Sequence, residues 1–160
     1  METYNFKSIS IYFDKLNNLL GVPSTIVKKW NALVDIDKIT NLIFPYTIED
    51  VELFLKNTFC LCYAYELENL PKISAIQNYR GAKSYSTTVK NLGMVSLSWL
   101  DGQGYKVIPT WQNARQKNAF VHLESKTTYV SEHYEKCELA VNLFKAINLS
   151  PIGPIYSEPT

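Results

Sequence analysis

The chain has 160 residues, of which 46% are hydrophobic, 19% charged and 13% aromatic, and its formal net charge is +1. That size favours one domain around a single core, and no apolar run reaches the roughly 20 residues of a membrane-spanning helix. Three cysteines, an odd number, argue against a disulfide framework and for a reducing compartment. Residues 1–7 carry neither the basic start nor the small-residue cleavage site of a secretory signal. The expected location is therefore intracellular: the cytoplasm of a cell or host, or a virion.

In chain order, the first half reads as helical. Ile9, Tyr12, Phe13, Leu16, Leu19 and Leu20 recur at helix spacing, and Gly21 followed by Pro23 is a stop signal. Ser24 is placed to cap a second helix carrying Ile26, Val27, Trp30, Leu33 and Val34, and a short third piece spans 37–44 before Pro45. Thr47 opens the longest helix, with Asp50 as the reciprocal member of a capping box. Its stripe runs Ile48, Val51, Leu55, Phe59 and Cys62. From Phe59 to Tyr65 the run is apolar all round, which predicts a central helix buried on more than one face, closed by Pro71.

The period then changes. Val95, Leu97 and Trp99 alternate with Ser96 and Ser98, the mark of a strand with one buried face. Asp101-Gly102-Gln103-Gly104 is turn chemistry, because both glycines can take positive φ. The return strand is predicted over 105–111, with Pro109 placing its far end at a sheet edge, and a third strand over 119–124. Ser131 should cap a last helix bearing Tyr134, Cys137, Ala140, Val141, Phe144 and Ile147. The predicted class is α+β: a helical N-terminal half packed on a small antiparallel sheet of about three strands, then a C-terminal helix and an extended proline-containing tail. The boundaries are 1–149 for a single domain and 150–160 for the arm.

Charge is distributed unevenly. Between Lys72 and Lys126 there are eight basic residues against two acidic ones, and both arginines of the chain fall there. Tyr79, Tyr85, Trp99, Tyr105, Trp111 and Phe120 are interleaved with them. Cations take phosphates and rings stack on bases, so the pattern points to a polyanion surface built from Arg80, Lys83, Lys90, Lys106, Arg115 and Lys117. The expected partner is nucleic acid or an acidic membrane surface, bound without catalysis. Ile152, Ile155 and Tyr156, set among the prolines of the arm, would dock on a second copy and make a homo-oligomer. A virus structural protein of matrix or coat type has this size, charge and tail. A protein-binding inhibitor or immunity-type module, meeting one partner through exposed aromatics, is an alternative.

Catalytic chemistry has one further candidate. Asp101 ends a strand, and Glu124-Ser125-Lys126 ends another. This arrangement resembles the PD-(D/E)xK nucleases. The resemblance implies a Mg²⁺ ion held by Asp101 and Glu124, Lys126 positioning water, and Glu66 or Glu68 as an upstream acid. Cys60, Cys62, His133 and Cys137 make a nominal zinc set. On a helix, however, Cys60 and Cys62 point about 200° apart, so buried thiols and no metal are expected. His122 and His133 lack a serine elbow or an orienting acid, and Gly102-Gln103-Gly104 precedes a strand rather than a helix, so it cannot cradle a phosphate. No cofactor is expected.

Overall fold

A computed structural model describes residues 4–160. It overturns the predicted helical half: the described residues form a curled nine-stranded sheet with four helices, and residues 6–42 contribute four of the strands. β1 (Phe6–Phe13) and β2 (Leu19–Val27) form a hairpin in which Ile9 lies opposite Pro23 and Phe13 opposite Leu19. A 3-10 turn at Lys28–Trp30 leads back into β3 (Ala32–Asp35), and the first part of β2 also pairs with β4 (Thr40–Leu42).

The physical reason is period two. Ile9, Ile11 and Phe13 face one side of β1 and Ser8, Ser10 and Tyr12 the other, an alternation that a helix would scramble. Leu16, which completes an apparent helical stripe, is 72% exposed in the hairpin turn. There the Asp14 carboxylate accepts the N–H groups of Leu16 and Asn18, and Asn17 takes φ +65°. Gly21 and Pro23 lie inside β2 and stop nothing. A Cβ at Gly21 would come 2.5 Å from Thr40 Oγ1 and 2.6 Å from Thr58 Oγ1, so glycine is what lets β2 pass beneath the helix that carries Thr58.

That helix, α1 (Ile48–Cys60), begins as expected. Thr47 Oγ1 accepts the Asp50 N–H at 3.1 Å, and the Asp50 carboxylate accepts the Thr47 N–H at 2.9 Å. It ends at Cys60 rather than continuing toward Pro71, and Tyr63 adopts φ +61°. Two short helices follow that periodicity cannot reveal at their length: α2 (Ala75–Arg80), capped by Ser74, and α3 (Tyr85–Val89), capped by Ser84.

β5 (Gly93–Leu100) and β6 (Gly104–Asn113) form the expected hairpin, with Gly102 at φ +77° and Gly104 at φ +98°. β6 is not an edge. Its outer side pairs first with β8 (Thr128–Val130) and then with β7 (Ala119–His122). Pro109 sits where the neighbour changes and offers only its carbonyl, to the Leu123 N–H. The third strand stops at His122, so Glu124-Ser125-Lys126 is a 3-10 turn. α4 (Glu138–Leu149) starts seven residues after Ser131, behind a left-handed Cys137.

The residues predicted to form a free arm lie on their own domain. Ile152 packs against the main core, β9 (Pro154–Ile155) runs parallel to Gln112–Asn113 of β6, and the Ser150 hydroxyl accepts the Thr110 N–H at 3.1 Å. The sheet order is β3-β2-β1-β5-β6-β7. α1 and α4 cover one face, over Ile9, Ile11, Val95, Leu97 and Val107. α2 and α3 cover only part of the other, over Tyr12, Val22 and Met94. No helix among the described residues is long and apolar enough to cross a membrane.

Candidate functional site: a lysine–aromatic end of the sheet

Register places the site. Lys7 lies opposite Trp99, Trp99 opposite Tyr105, and Tyr105 opposite Val130. This is the last cross-strand row on the face that α1 and α4 cover, so its side chains emerge where the helices end. On the reverse face Lys106 lies opposite Tyr129. Each ammonium sits over a ring: Lys7 Nζ is 5.6 Å from the Trp99 centroid and Lys106 Nζ 5.9 Å from that of Tyr129. From α1, Lys56 Nζ stands 5.8 Å from the Tyr134 ring. None of these three lysines has a carboxylate partner among the described residues.

The rings support one another. Tyr105 meets Phe59 and Tyr134 edge-on, at 5.4 and 5.7 Å between centroids. Burial first, then the neighbouring Glu52, pushes both phenols above their ordinary range, so they stay neutral. Behind them Glu52, only 6% exposed, ties α1 to α4. Its carboxylate accepts the Tyr134 hydroxyl at 2.7 Å and the Ala140 N–H at 3.1 Å. It thereby caps the start of a helix whose own N-cap, Cys137, provides no side-chain hydrogen bond. The outcome is a cleft of about 390 Å³ whose walls include Lys7, Lys56, Cys60, Trp99, Tyr105 and Glu132.

The predicted polyanion residues separate into groups. Lys106 is at the start of β6. Arg115 and Lys117 follow its far end, after Asn113, roughly 23 Å along the strand. Lys90 shares that far end, because Gly153 of the tail bonds Leu92 and the Asn118 amide bonds the Ser86 carbonyl. Arg80 and Lys83 are exposed around the α2–α3 link. Arg115 is already engaged: its Nε donates to the Tyr156 carbonyl and its guanidinium lies 5.8 Å from that ring.

The nuclease and zinc sets are not assembled. Asp101 is in the turn before Gly104, whereas Glu124 follows Leu123, which is bonded to Pro109. Five residues of strand, about 16 Å, lie between those levels, against the ~2 Å ligand distances of Mg²⁺. Glu124 instead contacts His122 Nδ1 at 3.4 Å. Glu66 pairs with Lys28 at 3.1 Å, and Glu68 is exposed. Cys60 is exposed while Cys62 and Cys137 are buried, and the described residues contain no group of three or more His, Cys, Asp or Glu able to hold a metal. Sequence reading missed Lys7 and Lys56, which fall outside the basic segment. Strand register brings Lys7 to Trp99, and the packing of α1 against the segment before α4 brings Lys56 to Tyr134.

Two solved structures share this fold. A protein of unknown function from Neisseria meningitidis superposes with a TM-score of 0.64 at 13% identity, over 92% of this chain and 98% of that one. A chain of the CdiA-CT/CdiI toxin and immunity complex from Yersinia pseudotuberculosis gives 0.62 at 8% identity, again over 92% and 98%. At such identities the likeness is one of fold. No protein-family profile matches the chain, and comparison with curated proteins gives no match.

Proposed function

We propose that this chain is a protein-binding module of the immunity type, and that it meets one protein partner through the lysine–aromatic end of its sheet. The carrying observation is the trio of ammoniums seated over Trp99, Tyr129 and Tyr134 with no carboxylate partner among the described residues. Partly exposed Trp and Tyr rings are the side chains that most often anchor protein interfaces, and lysines at the rim supply the charge that steers a partner in. The fold shared with a chain of a toxin and immunity complex supports the same reading. Of the sequence-based alternatives, this one fits better than a virus coat or matrix protein, which neither the neighbours nor the divided basic residues favour.

The test is to crosslink the protein in its native cells, identify the partner by mass spectrometry, and titrate the purified pair. A one-to-one protein complex is expected. Trp99→Ala should weaken it by about 30-fold, the effect of losing a central interface aromatic. Recovery of nucleic acid alone, or a complex indifferent to Trp99, contradicts the proposal.

A further inference from the structure

The cleft at this end has a charge pattern that narrows what can enter it. Lys7 comes from β1 and Lys56 from the last turns of α1, so two ammoniums face one opening from different elements. The walls between them are aromatic: Trp99, Tyr105 and Phe59. Glu132 is also present, but one of its oxygens accepts the Gly102 N–H at 3.1 Å and is turned toward the β5–β6 turn. A lysine pair with no carboxylate partner among the described residues gains most from an incoming one, because charge-assisted hydrogen bonds outweigh neutral ones. Glu132 and nearby Asp101 would repel a run of phosphates, whereas one carboxylate on a slim side chain can seat between the two ammoniums.

We infer that the cleft between Lys7 and Lys56 receives a Glu or Asp side chain from an acidic segment of the protein partner. This rests on the partner-face reading above and adds the chemistry of what is recognised. Cys60 lies in the cleft wall and is exposed, while Cys62 and Cys137 are buried, so alkylation of Cys60 reports occupancy.

The experiment follows iodoacetamide labelling of Cys60 by mass spectrometry in the presence of an acetylated, amidated hexaglutamate peptide. Iodoacetamide is neutral and does not itself compete for the lysines. Hexaglutamate should slow labelling and hexaglutamine should not. The double variant Lys7→Gln/Lys56→Gln should lose the protection by tenfold or more, and the Lys→Arg pair should keep it. Lys117→Gln, beyond the far end of β6, should change nothing, and Glu132→Gln should strengthen protection by removing the one carboxylate among the described wall residues. All these positions are at the surface, and an unchanged melting curve verifies that each variant is folded. Equal protection by hexaglutamine, or protection that survives the glutamine pair, overturns the inference. So does stronger protection by a single-stranded oligonucleotide, which would put a nucleic acid in the cleft. If partner binding still depends on Trp99 in any of these cases, the inference alone falls and the partner-face reading stands.

Discussion

The two ends of β6 are built to opposite specifications. At the far end several polar groups are tied into the fold. The Gln112 amide donates to the carbonyls of Val89 and Leu92, the Ser150 hydroxyl takes the Thr110 N–H, and Arg115 holds the tail through Tyr156. At the near end the same strand presents Tyr105 and Lys106 beside Lys7, Lys56 and Trp99, and the ammoniums rest on rings with no ion-pair partner among the described residues. These bonds fasten the tail and the α3–β5 link to β6, which makes the far end a structural joint. The near end spends its rings and cations on solvent, which makes sense for a surface that meets something else.

The sharpest way to break that contrast is at the joint. Deleting residues 150–160 removes Ile152 from the core, β9 from β6 and the Ser150 bond to Thr110. A loss of about 3–5 kcal/mol is expected, lowering the melting temperature by roughly 10 °C with no change in mass by sedimentation. An unchanged melting temperature with a smaller mass would make the tail an assembly arm instead. Next in size is Glu52→Ala, which orphans the Tyr134 hydroxyl and the Ala140 N–H behind the near end. Urea unfolding should show about 3 kcal/mol lost. Glu52→Gln, which keeps an accepting oxygen for the Ala140 N–H and can donate its amide N–H to the Tyr134 hydroxyl oxygen, should cost less.

A smaller effect is expected under the α2–α3 cover. Burial raises the Asp35 carboxyl to about 6, beside Tyr12 and Tyr85. The folded state then holds this proton more tightly than the unfolded chain, whose carboxyl titrates near 3.9. Stability should therefore fall as pH rises from about 4 to 6.5, by roughly 1–2 kcal/mol given the partial exposure of the side chain. Asp35→Asn should flatten that slope, and an identical pH dependence in the variant would contradict the assignment. Smallest of all is Asp101→Asn. Asp101 is exposed in its turn and 16 Å or so from the level of Glu124, so unfolding energies should agree within about 0.5 kcal/mol. A Mg²⁺-dependent cleavage activity that this change abolished would revive the nuclease resemblance.

How much of this was legible beforehand depended on whether the signal was local. The β5–β6 hairpin announces itself through Val95, Leu97 and Trp99 against Ser96 and Ser98, and through two turn glycines. Thr47 and Asp50 mark the start of α1 within four residues. The N-terminal strands were obscured because Leu16, Leu19 and Leu20 extend the pattern of Ile9, Tyr12 and Phe13 at helix spacing, although Ser8 and Ser10 already alternate with Ile9 and Ile11. Gly21 and Pro23 misled for a tertiary reason: the glycine is required by the approach of Thr40 and Thr58, which only the fold supplies. The candidate site was less legible still. Trp99, Tyr105 and Lys106 stood out by composition, but Lys7 and Lys56 belong with them only through strand register and the length of α1.

Amide hydrogen exchange on the chain alone, and bound to the partner recovered by crosslinking, separates a partner face at the near end of β6 from a structural joint at the far end. Added protection should concentrate in residues 99–106 and 129–134 and in the last turn of α1, with 111–118 and the tail unchanged. Protection gathered instead at 111–118 and 150–160 would place the partner on the joint and contradict the account.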